Sequence, residues 1–328
     1  MIARRYEMQQ KINILAEKLK DYRADEILNP QAENIRRWLS QFSEQNQEVI
    51  LDEMIYICKK LYFSEQRFND FLKRLVEKYD INFWKDMSLL DIQKNGSSQK
   101  KMVEKLKELL SKQNIYISIN DYSKVNYLYL DDFLYTGVKL KGDIEYLLDN
   151  IPDNSKIHVC YIGYFSFGEY IIEKNCKNGI AISIDGENKF ENRKACKDVS
   201  DVLLPTDELY NLEQVRNFLT DDSKCIKRNS NKNTENYCYD SYYIFSSQKN
   251  RQILENEFTL AGLKIINSLT NKGSWKPLGF SSFDNLGFGA MVFNYRNCPN
   301  NAPLCLWWGD WDNNPVWYPL FQRTTYSN

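Results

Sequence analysis

Two adjacent aspartates, Asp131 and Asp132, follow the apolar run of residues 125–130. That run is aromatic and aliphatic without clean alternation, a pattern typical of a strand covered on both faces. Adjacent carboxylates repel each other, and burying either one without a partner is costly or forces its protonation. The pair therefore requires sugar hydroxyls, a metal ion or cationic side chains as partners.

A short loop after the acids carries the opposite chemistry. Thr136 and Gly137 precede an amphipathic helical pattern that runs through Leu140, Ile144 and Leu147. The first turn of such a helix leaves backbone N–H groups unpaired at the positive end of the helix dipole, where an anion binds. Acceptors for hydroxyls followed by donors for a phosphate fit the two ends of a ribose 5-phosphate.

The acids and the loop also carry a family resemblance. Residues 130–137, Leu-Asp-Asp-Phe-Leu-Tyr-Thr-Gly, closely resemble the phosphoribosyl pyrophosphate signature of type I phosphoribosyltransferases. More narrowly, the chain resembles the PRTase-CE domains of bacterial conflict systems. That resemblance extends over most of the chain, through residues 38–42, 299–301, Trp317, 319–321 and Arg323.

The resemblance implies a type I phosphoribosyltransferase-like fold, which is a doubly wound, mainly parallel α/β sheet. It also implies that Asp131 and Asp132 are the catalytic and metal-binding residues, which take the ribose hydroxyls directly or through Mg²⁺. The loop that would wrap the 5-phosphate consists of Tyr135, Thr136, Gly137, Val138 and Lys139.

The loop departs from the commoner form of the signature, which continues Gly-Gly-Thr. Here Gly137 is followed by Val138 and Lys139. Val138 lacks the backbone freedom of a second glycine, and Lys139 replaces a hydroxyl with a cation. Lys139 would pair with the phosphate as a point charge or point to solvent. Ligand binding survives such a change more readily than efficient turnover does.

A second candidate contact is the turn of residues 95–98, which leads into another amphipathic helix. Lys100 lies in the first turn of that helix, where a cation opposes the helix dipole. One interpretation places Ser97, Ser98 and Lys100 against the pyrophosphate end of the substrate. The other, which we favour, is an ordinary serine cap with solvated lysines.

The chain as a whole predicts an N-terminal helical region over residues 1–85 and an α/β domain over residues 86–328. Amphipathic patterns predict helices at residues 6–22, 30–42, 47–61 and 64–79. Their apolar faces serve as core or bind a protein partner, for example another component of a defence system.

Strands and helices alternate after the aspartates. Strands are predicted at residues 157–162 and 180–184, with a helix at 167–174 between them, and this order indicates a parallel sheet. The polar stretch 221–237 predicts a loop insertion, and a helix is expected at 250–269. The segment 275–328 is rich in tryptophan and either closes a core or stacks on a base.

Composition excludes several classes of protein. The 328 residues are 43% hydrophobic and 27% charged with a formal net charge of -1, so no global field steers the chain to nucleic acid or an anionic membrane. No apolar run approaches a membrane span and the first residues do not resemble a signal peptide, so we expect a cytoplasmic protein. The eight scattered cysteines predict reduced, mostly buried thiols and no zinc site.

Two alternatives rest on other residues. Asp185, at the predicted end of a later strand, would complete the three-acid Mg²⁺ site of a receiver domain, although the Thr-Gly loop has no role there. A haloacid-dehalogenase site requires a second acid two positions after the first, where Phe133 stands. The single histidine, His158, lies in a strand pattern and is expected to be packed or hydrogen-bonded rather than catalytic.

Three functions remain open from the sequence. The first is an enzyme that binds phosphoribosyl pyrophosphate with Mg²⁺ and transfers the phosphoribosyl group to an unidentified acceptor or hydrolyses it. The resemblance implies a defence effector. The second is a non-catalytic sensor of a nucleotide or of phosphoribosyl pyrophosphate that controls the N-terminal helices. The third is a protein-interaction module with a vestigial site.

Overall fold

The computed structural model describes residues 2–26, 30–93, 98–175, 181–192, 200–205, 207–219, 244–281, 286–311 and 316–323. The chain forms two compact units, one of Met1–Glu65 with Asn192–Asn328 and the other of Gln66–Glu191. This partition differs from the division at residue 85 that the sequence predicts. The predicted division stays a prediction.

The unit of residues 66–191 contains a parallel sheet. Its strands are β2 (Met87–Leu90), β3 (Ser118–Ile119), β4 (Asn126–Leu134), β5 (Lys156–Phe165) and β6 (Ala181–Phe190). The helices are α4 (Glu65–Lys78), α5 (Ile81–Asp86), α6 (Ser98–Ser111), α7 (Val138–Leu148) and α8 (Ser166–Asn175). The predicted parallel α/β fold is confirmed.

The sheet has one reversal of strand order. The chain passes from β2 outward to β3 and then returns to the other side of β2, where β4, β5 and β6 follow in sequence. In open parallel sheets, ligands bind beyond the carboxyl ends of the strands at such a switch point. The loops after β2 and β4 flank this point.

Two strands end later than the sequence indicated. We expected the first to end at the aspartates and the last at Asp185, but β4 continues to Leu134 and β6 to Phe190. Aspartate has low strand propensity, yet pairing with a neighbouring strand outweighs that preference, because Asp131 is in register with Tyr161 of β5. The two acids therefore lie within β4 and not beyond it.

The other unit is mainly helical. Its elements are α1 (Ile2–Lys18), α2 (Ala32–Leu39), α3 (Gln47–Leu61), α9 (Asp207–Tyr210), α10 (Glu213–Leu219), α11 (Gln248–Ser268) and α12 (Leu304–Trp307), with β1 (Tyr62–Phe63) paired parallel to β7 (Phe293–Asn294). The four predicted N-terminal helices are present, one of them as α4. The predicted insertion at 221–237 lies outside the described residues.

Tryptophans of the C-terminal segment close the core of this helical unit. Trp317 donates from its indole to the carbonyl of Cys305 at 2.7 Å, and Trp38 of α2 donates to the same carbonyl at 2.9 Å. Arg323 donates to the Cys298 carbonyl at 2.9 Å and lies over the ring of Trp307. A partner surface on the N-terminal helices stays a prediction.

The four cysteines in the described part of the chain are buried thiols. Cys58, Cys160, Cys298 and Cys305 are free and buried, and burial raises the pKa of Cys58 and Cys160 to about 12. The remaining four cysteines lie outside the described residues. Among the described helices, none has the length and apolar character that crossing a membrane requires.

Candidate functional site

The candidate site lies at the switch point, where the segment after β2 meets β4 and the start of α7. Gln93 lies in the segment that follows β2. Asp131 and Asp132 lie in β4, and Lys139 lies in the first turn of α7. Contacts join Asp131 to both Gln93 and Lys139. The segment after β2 and the first turn of α7 therefore meet at one buried carboxylate of β4.

The side-chain alternation of β4 breaks close to the acids. Tyr129 and Leu134 pack in the same apolar cluster, although strict alternation would place residues five positions apart on opposite faces. On β5, Tyr161 belongs to this cluster and Tyr164 packs against it, three positions later. The residue pairing between the two strands omits Asp132 and, opposite it, Ile162, while the register continues beyond them. Such irregularities redirect side chains and are frequent beside functional sites.

Asp131 is buried and has donors at both carboxylate oxygens. Oδ1 accepts from the backbone N–H of Asp132 at 3.0 Å, and Oδ2 accepts from the Gln93 amide at 2.5 Å. The ammonium of Lys139 lies 3.6 Å from the same Oδ2. The side chain of Asp131 is only 7% exposed, whereas that of Lys139 is 51% exposed.

A chain of hydrogen bonds fixes the orientation of Gln93. The hydroxyl of Tyr129 donates to Asp143 at 2.9 Å and accepts from Gln93 Nε2 at 2.9 Å. The same Nε2 donates to Asp131. Because the tyrosine proton goes to Asp143, the amide nitrogen of Gln93 must face the hydroxyl. Asp131 therefore meets an N–H donor and not the amide oxygen.

Gln99 shapes the segment that carries Gln93. Its side chain is fully buried at the start of α6, and its Oε1 accepts from the backbone N–H groups of Ile92 at 2.8 Å and Gln93 at 3.0 Å. Sequence reasoning did not identify either glutamine. The signal that could have identified Gln93 is the mostly apolar run Met87–Leu90. A buried strand at this run places the residues that follow it at the carboxyl edge of the sheet.

The loop between β4 and α7 has the expected helix start. Gly137 is the N-cap of α7 with φ of 76°, a left-handed conformation that favours glycine. The first helical bond runs from Lys141 N–H to the Gly137 carbonyl at 2.9 Å. Thr136 Oγ1 accepts only a long bond, 3.4 Å, from Val138 N–H. The helix start therefore retains donor capacity toward an anion.

Other candidate residues are distributed around this centre. Asp132 is half-buried and accepts from Phe133 N–H at 2.8 Å. Tyr135 is half-buried and stacks on Phe165 with ring centroids 5.5 Å apart, while Val138 is 56% exposed.

Ser97 and the side chain of Ser98 lie outside the described residues, so their predicted contacts stay predictions.

The alternative site residues have other roles. Asp185 pairs with Lys78 and accepts from Tyr79 at 2.8 Å. Nearby, Arg74 binds Glu187 through two contacts of 2.7 Å. Over the described ranges, no group of three or more His, Cys, Asp or Glu side chains could hold a metal ion. The described residues thus do not form the three-acid site of a receiver domain.

His158 is a packed, hydrogen-bonded residue, as its strand pattern indicated. Its Nδ1 lies 3.1 Å from the Ser183 hydroxyl, and its ring meets the edge of Phe83. Burial lowers the pKa of His158, as does the neighbouring Lys156, so the imidazole favours its neutral form.

The surroundings of Asp131 do not fit direct coordination of Mg²⁺. An N–H donor points at each oxygen, and an ammonium stands beside Oδ2, where a divalent ion would meet like charge. Mg²⁺ carried by the ligand itself, or met by Asp132, stays a prediction.

Burial raises the pKa of Asp131 to about 6, the charge of Asp132 adds to the rise, and Lys139 and the hydrogen bonds oppose it. Because this pKa exceeds the unfolded value of about 3.9, the protonated carboxyl stabilises the fold below pH about 4, and that stability is lost as pH rises through about 6. Asp131→Asn removes this titration, so its stability relative to the parent should gain roughly 1–3 kcal/mol between pH 4.5 and pH 8.

Thermal unfolding at the two pH values measures this gain, with Asp149→Asn at the exposed end of α7 as the control. A relative stability of Asp131→Asn that does not rise between pH 4.5 and pH 8 would contradict the raised pKa of Asp131.

Two solved structures resemble this chain weakly. Xanthine-guanine-hypoxanthine phosphoribosyltransferase from Helicobacter pylori is 14% identical, with 40% of this chain and 89% of that chain covered and a TM-score of 0.25. The AQ2163 protein from Aquifex aeolicus is 11% identical over 48% and 83% of the two chains, with a TM-score of 0.27. Neither score supports an inference, and a comparison with curated proteins gives no match.

The family comparison covers nearly the whole chain. The sequence model of PRTase-CE matches residues 35–323, a span that includes the sheet, the carboxylate pair, the loop before α7 and the tryptophan-rich segment. The chain therefore belongs to the PRTase-CE family.

Proposed function

We propose that the chain binds phosphoribosyl pyrophosphate, or a related sugar phosphate, at the β2–β4 switch point. The observation that carries this proposal is the left-handed Gly137 cap, which starts α7 beside a carboxylate pair. The amides and dipole of α7 attract the 5-phosphate, and Asp131 and Asp132 accept from the ribose hydroxyls. An ionised carboxylate can accept from several donors at once.

The reaction that suits this site breaks the bond between ribose C1 and the pyrophosphate oxygen. Pyrophosphate leaves, and C1 bonds to an acceptor atom or, in hydrolysis, to the oxygen of water. The oxocarbenium-like transition state needs positioning and charge stabilisation more than a strong base. The acceptor is unidentified. The family resemblance supports a role as a bacterial defence effector, and protein partners would bind through the N-terminal helices.

A second candidate function is a non-catalytic sensor of a nucleotide or of phosphoribosyl pyrophosphate. Lys139 favours it, because an ammonium already paired with Asp131 can hold a ligand without assisting departure of pyrophosphate. Val138 also favours a sensor. It replaces a flexible second glycine, and ligand binding survives this loss of backbone freedom more readily than turnover does.

Labelled phosphoribosyl pyrophosphate separates the candidates. Release of labelled pyrophosphate by the full chain, with Mg²⁺ present, supports the enzyme. Tight binding in calorimetry without release supports the sensor. Neither binding nor release at millimolar ligand refutes both. A plaque assay of cells that express the parent or Asp131→Asn/Asp132→Asn tests the defence role, which requires the parent alone to protect.

A further inference from the structure

Lys139 occupies a position that the helix itself disfavours. It is the second residue of α7, and the first turn of this helix contains no acidic residue. A cation there faces the positive end of the helix dipole. A negative charge from another element would offset this cost of about 0.3–1 kcal/mol.

Asp131 supplies that charge. Its carboxylate is buried on β4 and lies 3.6 Å from the Lys139 ammonium. A second side chain at the same oxygen, Gln93, is neutral. Burying a carboxylate is costly without a neutralising partner, and among the described residues Lys139 forms an ion pair with it.

The ammonium also stands where a bound sugar phosphate would need positive charge. It lies 3.6 Å from the carboxylate to which the proposed function assigns the ribose hydroxyls, and it belongs to the helix turn that would receive the phosphate. Because its side chain is half-exposed on a flexible stem, it can contact a ligand oxygen while it stays near Asp131. A divalent ion at the same oxygen would meet like charge.

We propose that Lys139 is the resident cation of this site and takes the place of a divalent metal, so that ribose 5-phosphate ligands bind without Mg²⁺. This inference rests on the proposed function. It goes beyond that function because it removes the metal requirement for binding and assigns the charge to a single side chain of the chain itself.

Ribose 5-phosphate is the probe, because it lacks the pyrophosphate that carries Mg²⁺ into the site by its own chelation. Calorimetry compares the full chain in EDTA with the full chain in MgCl₂. The variants are Lys139→Gln, which removes the charge, and Lys139→Arg, which keeps it. Lys141→Gln is the matched control, because this lysine lies on the same helix and contacts Glu145 instead of Asp131.

The parent, Lys139→Arg and Lys141→Gln should bind ribose 5-phosphate with dissociation constants that differ by less than about twofold between EDTA and MgCl₂. Lys139→Gln should lose roughly tenfold or more in EDTA and recover part of that loss with Mg²⁺. A circular dichroism spectrum and melting curve for each variant show that the fold is kept.

Two results would overturn the inference while leaving the proposed function intact. One is a parent that binds only when Mg²⁺ is present, and the other is a Lys139→Gln variant indistinguishable from Lys141→Gln. A parent that binds neither ribose 5-phosphate nor phosphoribosyl pyrophosphate, with or without the metal, rejects the proposed function together with the inference.

Discussion

Replacing both acids, in the variant Asp131→Asn/Asp132→Asn, should weaken binding of phosphoribosyl pyrophosphate by roughly 100-fold or more. Each carboxylate offers the ribose hydroxyls a charge-assisted hydrogen bond worth about 1.5–3 kcal/mol, so two of them account for this loss. Any release of pyrophosphate should fall to the background rate. Calorimetry and a labelled-pyrophosphate assay measure the two effects.

The fold of this double variant should survive, because Asp131→Asn relieves a buried carboxylate whose pKa is already raised to about 6. Inorganic phosphate provides an internal control. It has no ribose hydroxyls, so its weak binding near the start of α7 should persist and should strengthen when Lys139 loses its carboxylate partner. A double variant that binds phosphoribosyl pyrophosphate as well as the parent would remove the acids from the site.

Gly137→Ala should destabilise the fold by roughly 2–5 kcal/mol and abolish phosphate-ligand binding. The left-handed backbone at φ of 76° costs a non-glycine residue about 1–2 kcal/mol, and overpacking adds about 1–3 kcal/mol. A Cβ atom at this position would lie 2.8 Å from the Gly168 carbonyl oxygen. That contact is with backbone, so no rotamer change relieves it. Thermal and urea unfolding measure the cost.

Gly142→Ala is the matched control on the same helix. A Cβ atom there meets nothing within 4 Å, and alanine is favoured over glycine inside a helix by about 0.5–1 kcal/mol. The melting temperature should therefore rise for Gly142→Ala and fall for Gly137→Ala. Equal melting temperatures for Gly137→Ala and the parent would show that the loop does not require a left-handed backbone at residue 137.

Local features of the site could be predicted from the sequence because they depend on neighbouring residues. An apolar run without alternation forms a strand buried in a parallel sheet, and Thr136-Gly137 before an amphipathic pattern starts a helix. The strand end was predicted less well, because pairing of Asp131 with Tyr161 keeps the acids inside β4. Strand pairing is a property of the sheet and leaves no mark on a single segment.

The amino-acid sequence by itself determined the parallel α/β fold, the acid pair and the glycine that begins α7, since each follows from residue types at short spacing. Only the tertiary structure decided which groups surround Asp131. Because β2 and β4 are neighbours in the sheet, Gln93, 38 residues away, donates a hydrogen bond to the carboxylate. The first turn of α7 places the Lys139 ammonium beside the same carboxylate. Burial makes these neighbours decide the charge state of Asp131, because a carboxylate removed from water depends on the donors and charges that the fold places beside it.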